Sequence, residues 1–289
     1  MRPFGMTLHL THERETSMKS SIGIQKGAAM DNTGKFTGKG AVYAAARPRY
    51  AEGLLEYLAS KERLEPGALV ADVGAGTGIF SEQLLDAGLC VIGVEPNADM
   101  RAQAEHALCG RKGYRSVCGT ADAMGLPDDS VDCVTAAQAF HWFDAEAFKR
   151  ECRRVLKPGG FVAIVYNMRE VESPYMQAFA QLTRRFYPAF KGFSNGLDEA
   201  ELPSFFDGPC DVRWWANPQL LTREAFVARA LSSSRAPRED DASYLRYLEE
   251  LNALFDQYAE ERQTESGLQM FLSLSLRTTL HAGRVDGCF

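Results

Sequence analysis

The stretch Val70–Phe80, VADVGAGTGIF, constrains this chain more than any other. An apolar run holding one acid, Asp72, gives way to Gly74, Gly76 and Gly78 at every second position, and a helix-like pattern follows. Glycine enters positive φ at no steric cost and lets another group come close to the backbone. In an open parallel sheet, ligands bind beyond the carboxyl ends of the strands, at the point where strand order reverses. The free N–H groups at the start of the following helix face that point. Asp72 to Gly78 therefore reads as a cradle for a small polar cofactor. The plainer reading is a tight turn, and the glycines alone do not separate the two.

The pattern around this stretch predicts an α/β fold. CVIGVE, YRSVCG, VDCVTAA and FVAIVY read as four further strands, and helical patterns lie between them. Met100, Ala104, Ala107 and Leu108 mark one helix; Phe148, Cys152, Val155 and Leu156 mark another, capped by Asp144. A helix is expected to open at Pro48 and to bury Tyr50, Leu54, Tyr57 and Leu58, while KPGG is expected to break the chain before FVAIVY. Strands alternating with helices at this spacing mean a doubly wound, mostly parallel sheet.

After Asn167 the rhythm changes. Helices are predicted at SPYMQAFAQLTRRF, at TREAFVARAL behind Thr222, and over a long amphipathic run with Tyr244, Leu248, Leu251, Phe255 and Tyr258 on one face. CDVRWWAN and QMFLSLSLRTTLHAG read as two strands completing the same sheet, seven strands in all. Residues 34–168 are thus expected to form a cofactor-binding core, and 169–289 a helical substrate cap, inserted after the fifth strand, with the rest of the sheet. Phe179, Phe186, Tyr187, Phe190, Phe193, Phe205 and Phe206 suggest an apolar roof over a small organic molecule, although packing of the cap accounts for such residues equally well. Residues 1–33 are polar and aperiodic, without a signal-peptide core, and read as a disordered leader; Met6, Met18 and Met30 are all candidate starts.

Two features bear on the ligand. Glu95 closes the second strand about 20 positions after Gly76, where an acid can accept both hydroxyls of a ribose; a surface acid at a helix entry is the bland alternative. The glycine spacing is G-x-G-x-G, not the G-x-G-x-x-G that holds a pyrophosphate, so a phosphate-free cofactor fits better.

Four blocks, VADVGAGTGIF, VIGVEPNADM, GTADAMGLPDDSVDCVTAAQAFHWFD and RRVLKPGGFVAIV, together resemble the Rossmann-like, class I S-adenosylmethionine-dependent methyltransferases of the small-molecule type. The resemblance covers Phe36 to Tyr166. It implies S-adenosyl-L-methionine as cofactor, with Asp72, Gly74, Gly76 and Gly78 at its methionine end and Glu95 on the ribose. Asn97 and Met100 would flank the adenine, and Ala121 and Asp122 would meet its polar edge. Gln138 and Ala139 would face the sulfonium. YAAARPRY resembles the family's lid, which would bring Tyr43 and Arg47 onto the cofactor. Plainer roles exist: Met100 fits a buried helix face, Asp122 can begin a turn, Tyr43 can be a packing aromatic and Arg47 a solvated charge. Thr120 departs from the acid that many relatives carry.

Within QAFHWFD, His141 is the candidate catalytic base, since an imidazole titrates near neutrality; a structural histidine between aromatics is the alternative. Trp142 and Phe143 read as a wall or as core. The net charge of −6 argues against a nucleic-acid partner, and no NPPY-type block or Pro-Cys pair follows the fourth strand, as nucleic-acid methyltransferases would have. No apolar run is long enough to span a bilayer. The seven cysteines show no C-x-x-C or zinc spacing and suggest a reducing cytoplasm; Cys90, Cys118 and Cys133 are expected in or beside buried strands. The expectation is an enzyme moving a methyl group to a small-molecule acceptor. The alternatives are a cofactor-binding sensor or partner subunit without turnover, and a nicotinamide-dependent oxidoreductase.

Overall fold

Strand β1, Leu69–Val73, is buried along its whole length after the first residue, because both faces of the sheet around it are covered. A computed structural model describes residues 48–59, 64–193, 202–233 and 235–286 of the chain; the expected leader, Tyr43, Arg47 and Cys288 lie outside them. In chain order the elements are α1 (Glu52–Leu58), β1, α2 (Ile79–Asp86), β2 (Cys90–Val94), α3 (Ala98–Ala107), β3 (Tyr114–Val117), β4 (Val131–Ala137), α4 (Ala145–Val155) and β5 (Leu156–Arg169). They continue with α5 (Pro174–Phe186), β6 (Asp211–Ala216), β7 (Gln219–Leu221), α6 (Arg223–Leu231), α7 (Tyr244–Tyr258), β8 (Ala259–Thr264), β9 (Gly267–Leu274) and β10 (Leu276–Gly283).

Seven strands form one sheet in the order β3-β2-β1-β4-β5-β10-β6. β1 to β5 pair in parallel, and β10 runs antiparallel to both β5 and β6. Strand order reverses between β1 and β4, so a crevice opens at their carboxyl ends. One face of the sheet packs on α4 and on Leu202, Phe205 and Phe206; the other packs on α1 and α2. Side chains cap several helices: Asp144 Oδ1 accepts from the Ala147 N–H at 3.0 Å, and Ser173 and Thr222 do the same for α5 and α6. Among the described residues no helix is long and apolar enough to cross a membrane.

The cap is more than helices. α5, α6 and α7 share an apolar cluster that includes Tyr175, Phe226, Tyr247, Leu251 and Phe255, and a separate antiparallel sheet, β7-β9-β8, adds Leu272 and Leu274 to it. The run QMFLSLSLRTTLHAG is therefore two strands, broken at Ser275, with its halves in different sheets. Alternation is the same in both halves and hides the break. In α7 the buried residues are Tyr247, Leu251, Leu254 and Phe255; Tyr244, Leu248 and Tyr258 sit at the edge of that face. Packing accounts for most of the expected roof. Phe179, Phe186 and Phe193 join the cap cluster, Phe190 is buried, and Phe205 and Phe206 belong to the main sheet.

Three boundaries also differ. α1 starts at Glu52, not Pro48, because the amide of Gln83 takes both the N–H and the carbonyl of Tyr50 and holds residues 48–51 extended. KPGG does not precede β5 but lies inside it: Gly159 at φ 84° and a register shift opposite Val131–Cys133 absorb the irregularity. Cys118 is exposed, one residue past the end of β3, while Cys90 is half-buried and Cys133 buried.

Phe148 is fully buried and packs on Phe140, Phe143 and Phe205. Phe148→Ala is expected to cost about 3–5 kcal/mol, read as a lower urea midpoint with the slope unchanged.

Candidate cofactor site

The turn after β1 is tied to the end of the neighbouring strand: the N–H groups of Gly74 and Ala75 both donate to the Val94 carbonyl, at 2.8 and 3.2 Å. Gly74, Gly76 and Gly78 have φ of 71°, 58° and 85°, a region that side chains disfavour. Their surroundings differ. A Cβ on Gly74 would sit 2.6 Å from Cβ of Ala139, and one on Gly78 would sit 3.1 Å from both Ala104 and Leu108. These two glycines let chain pack on chain. A Cβ on Gly76 would meet nothing closer than Met100 Sδ at 3.9 Å. Gly76 alone keeps open space over its backbone.

Glu95 follows β2 and is 8% exposed. One carboxylate oxygen accepts the Gly76 N–H and the other the Asn97 N–H, each at 2.9 Å. Each oxygen keeps a further lone pair. Burial raises the pKa of this carboxyl above its ordinary value, against the two N–H bonds and the charge of Arg101. Asp72 is 1% exposed and accepts the hydroxyls of Ser81 at 2.7 Å and Thr135 at 3.0 Å. Burial lifts it from 3.8 to about 6, since those two bonds offset only part of the lost hydration.

The other expected residues fall into four groups. Asn97 caps α3 by accepting the Met100 N–H at 3.0 Å, and Met100 is buried beside Gly76. Ala139 is buried against Gly74, and Gln138 next to it has φ 56°, its backbone N–H donating to the Val165 carbonyl and its side-chain amide to the Asn167 carbonyl. Ala121 is half-buried and Asp122 exposed, in the loop after β3, flanking a short bridge between Thr120 and Ala123. His141 is exposed on a 3-10 turn, Phe140–Trp142. Its N–H donates to the Tyr166 hydroxyl at 3.0 Å, and its Nδ1 lies 2.9 Å from the same oxygen. The direction of that second hydrogen bond follows the imidazole tautomer.

A pocket at the crevice is lined by Asp72, Gly74, Gly76, Thr77, Phe80 and Ala137, and also by Pro48 and Tyr50. The last two were not expected there. The sequence block RPRY pointed to the right segment, but a helix starting at Pro48 would have turned it away from the strand ends. Among the described residues no group of His, Cys, Asp or Glu is arranged to hold a metal ion.

Comparison with known proteins places the chain. Residues 71–164 match the model of the methyltransferase domain family. A methyltransferase-like protein of Schizosaccharomyces pombe is 32% identical over 148 residues, 50% of this chain and 56% of its own length. An uncharacterized methyltransferase of Mycobacterium tuberculosis is 34% identical over 145 residues, with the same shares of 50% and 56%. The chain thus spans about half the length of the curated relatives it matches. Among solved structures, one ascribed to a type II methyltransferase of Anaeromyxobacter dehalogenans has a TM-score of 0.60 at 22% identity, covering 83% of this chain and 98% of that one. The YcgJ protein from Bacillus subtilis has a TM-score of 0.50 at 20% identity, covering 81% and 99%. These two likenesses concern the fold.

A carboxyl whose pKa is higher in the folded chain binds its proton more tightly there, so the stability it lends is full below 3.8 and is lost as pH rises through about 6. The stability of the ligand-free protein, measured against Asp72→Asn, is expected to fall by about 3 kcal/mol across that window and to be flat above it. Urea titrations of both proteins at a series of pH values check this.

Proposed function

From the match of residues 71–164 to the methyltransferase domain family and the doubly wound sheet around it, we propose that the chain is a class I methyltransferase that binds S-adenosyl-L-methionine and transfers the methyl group to a small organic acceptor. One observation carries the reading: the Glu95 carboxylate is anchored at the rim of the sheet on the N–H of Gly76, and the space over Gly76 is open. A nucleoside lying across that glycine brings its two ribose hydroxyls to the remaining lone pairs of Glu95. Met100, at the side of the same space, gives the base an apolar surface, and the loop at Ala121 and Asp122 supplies its polar edge. Two acids and no basic side chain from this turn suit a ligand without phosphates.

When bound, the sulfonium supplies an electrophilic methyl group. The residues around it position and desolvate. Asp72, Pro48 and Tyr50 wall the pocket on the amino-acid side, and the buried charge of Asp72 favours a cationic amine there. Gln138 and Ala139 stand where β4 ends, opposite the glycine turn, and shape the approach of the acceptor. Holding two reacting atoms in line can supply about 7–11 kcal/mol at the upper end.

Tyr166 fixes the orientation of the His141 ring through Nδ1. The proposed acceptor is an amine or carboxylate, which attacks without a strong base, with His141 orienting it. The acidic balance and the free cysteines support a small-molecule acceptor in a reducing compartment, the cytoplasm.

Gly76→Val and Glu95→Ala are each expected to remove measurable S-adenosylmethionine binding while the protein stays folded: valine fills the open space and alanine leaves the sugar unheld. Titration calorimetry with S-adenosylmethionine, with NAD as the competing ligand, checks both. Wild-type affinity in both variants would place the cofactor elsewhere.

A further inference from the structure

Pro48 and Tyr50 line the pocket, and besides the ties of Arg49 and Tyr50 to α2, residues 48–51 are held from β5, β10 and the end of β6. The side-chain amide of Asn167 donates to the carbonyls of Pro48 and Arg49 at 3.3 and 3.2 Å. The amide of Asn217 donates to the Arg49 carbonyl at 2.7 Å. The Ala51 N–H donates to the hydroxyl of Thr278 at 3.0 Å. The three side chains also bond to one another: Thr278 donates to Asn167 Oδ1 at 2.6 Å, and the Asn217 amide, sharing its two hydrogens among three acceptors, also lies 3.0 Å from that oxygen and 3.1 Å from the Thr278 hydroxyl. Asn167 and Thr278 are buried and lie opposite each other in the β5–β10 register.

The proton count gives this cluster a direction. Thr278 has one proton, and it goes to Asn167 Oδ1. That oxygen is then saturated by two donors, which leaves the Asn167 amide hydrogens facing the two backbone carbonyls. Asn167 cannot be flipped or replaced by an acceptor without setting oxygen against oxygen in a buried place. The backbone carbonyl of Asn167 also receives the Gln138 side chain, at 3.0 Å. One residue thus touches both the wall of the pocket and the turn after β4.

Its position in the chain gives the cluster a second meaning. Asn167 lies two residues before β5 ends and the chain departs for α5. Asn217 directly follows β6, where the chain leaves for the rest of the cap. Thr278 lies two residues after β10 begins, where the chain returns. All three roots of the cap meet at the carbonyls of Pro48 and Arg49 and the N–H of Ala51.

We propose that Asn167, Thr278 and Asn217 are positioning residues that latch the Pro48–Ala51 wall over the cofactor and join it to the roots of the cap. The role rests on the cofactor reading above. None of the three need touch the ligand; they act through the wall. A shift of the cap on acceptor entry moves the same bonds that hold the wall, and by linkage the cofactor biases the cap in return.

The test uses Asn167→Asp, Thr278→Val and Thr278→Ser in the full chain, with S-adenosylhomocysteine as the probe in titration calorimetry. Asn167→Asp turns a donor into an acceptor, and Thr278→Val removes the hydroxyl at nearly constant shape. Each is expected to weaken binding about tenfold. Thr278→Ser keeps the oxygen and is expected to bind within about twofold of wild type. Residue-resolved hydrogen exchange is the second readout, because a merely structural loss would loosen the segment evenly. The Ala51 amide is expected to exchange faster in Thr278→Val, while the Tyr50 amide, held by Gln83, keeps its rate. Wild-type affinity in both Asn167→Asp and Thr278→Val, or an unchanged Ala51 amide, overturns the latch alone. A wild-type protein that fails to bind S-adenosylhomocysteine overturns the cofactor reading and this role with it.

Discussion

The carboxylate of Glu95 holds the site together. Its two oxygens accept N–H groups from two separate stretches, Gly76 in the turn after β1 and Asn97 at the entry to α3. An unpaired buried N–H costs about as much as a lost hydrogen bond, so the carboxylate sets the distance between the two stretches while it satisfies them. Under the proposed reading, its burial favours hydroxyl donors of the cofactor. A carboxylate stripped of water binds hydroxyls more strongly than one on the surface, and its raised pKa is the sign of that missing hydration. Asp72 repeats the arrangement one strand away, with two hydroxyls in place of two N–H groups.

Burying two acids at the edge of a sheet works against stability, and the fold offsets it elsewhere. The faces of the sheet are apolar and closely filled, with Val70, Val91, Val134 and Ile164 all buried. The exposed ion pairs, such as Arg49 with Glu82 or Arg111 with Asp86, contribute little by comparison. Positive-φ residues occur at many turns of the described chain, and four of them, Gly74, Gly76, Gly78 and Gln138, stand where β1 and β4 end.

The C-terminal third is bound into this arrangement. It supplies β6 and β10 to the sheet, a second sheet to the cap, and two of the four side chains, beside Gln83 and Asn167, that hydrogen-bond the backbone of residues 48–51. The family match at residues 71–164 contains the glycine turn and Glu95 but none of that support. A pocket wall whose hydrogen bonds come from Asn167, Asn217 and Thr278 belongs to the whole described chain.

The sequence alone determined what depends on neighbours in the chain. The five parallel strands, the helices between them, the caps at Asp144 and Thr222, and the glycine turn with its acid one strand over were all legible, because periodicity, capping and φ preference are local properties. The tertiary structure decided what depends on partners far away. The split at Ser275, the extended run at Pro48–Ala51, the inclusion of KPGG in β5 and the packing of Phe205 and Phe206 on the main sheet were hidden. In each case the local pattern was consistent with two outcomes, and a distant group chose: β5 and β7 took different halves of one apolar run, and the Gln83 amide took both backbone groups of Tyr50. The same division holds within the site. Which glycine keeps open space over its backbone and which two let chain pass chain was set by Ala139, Ala104 and Leu108, because free space is a property of the folded surroundings and has no signature in a residue's own neighbours.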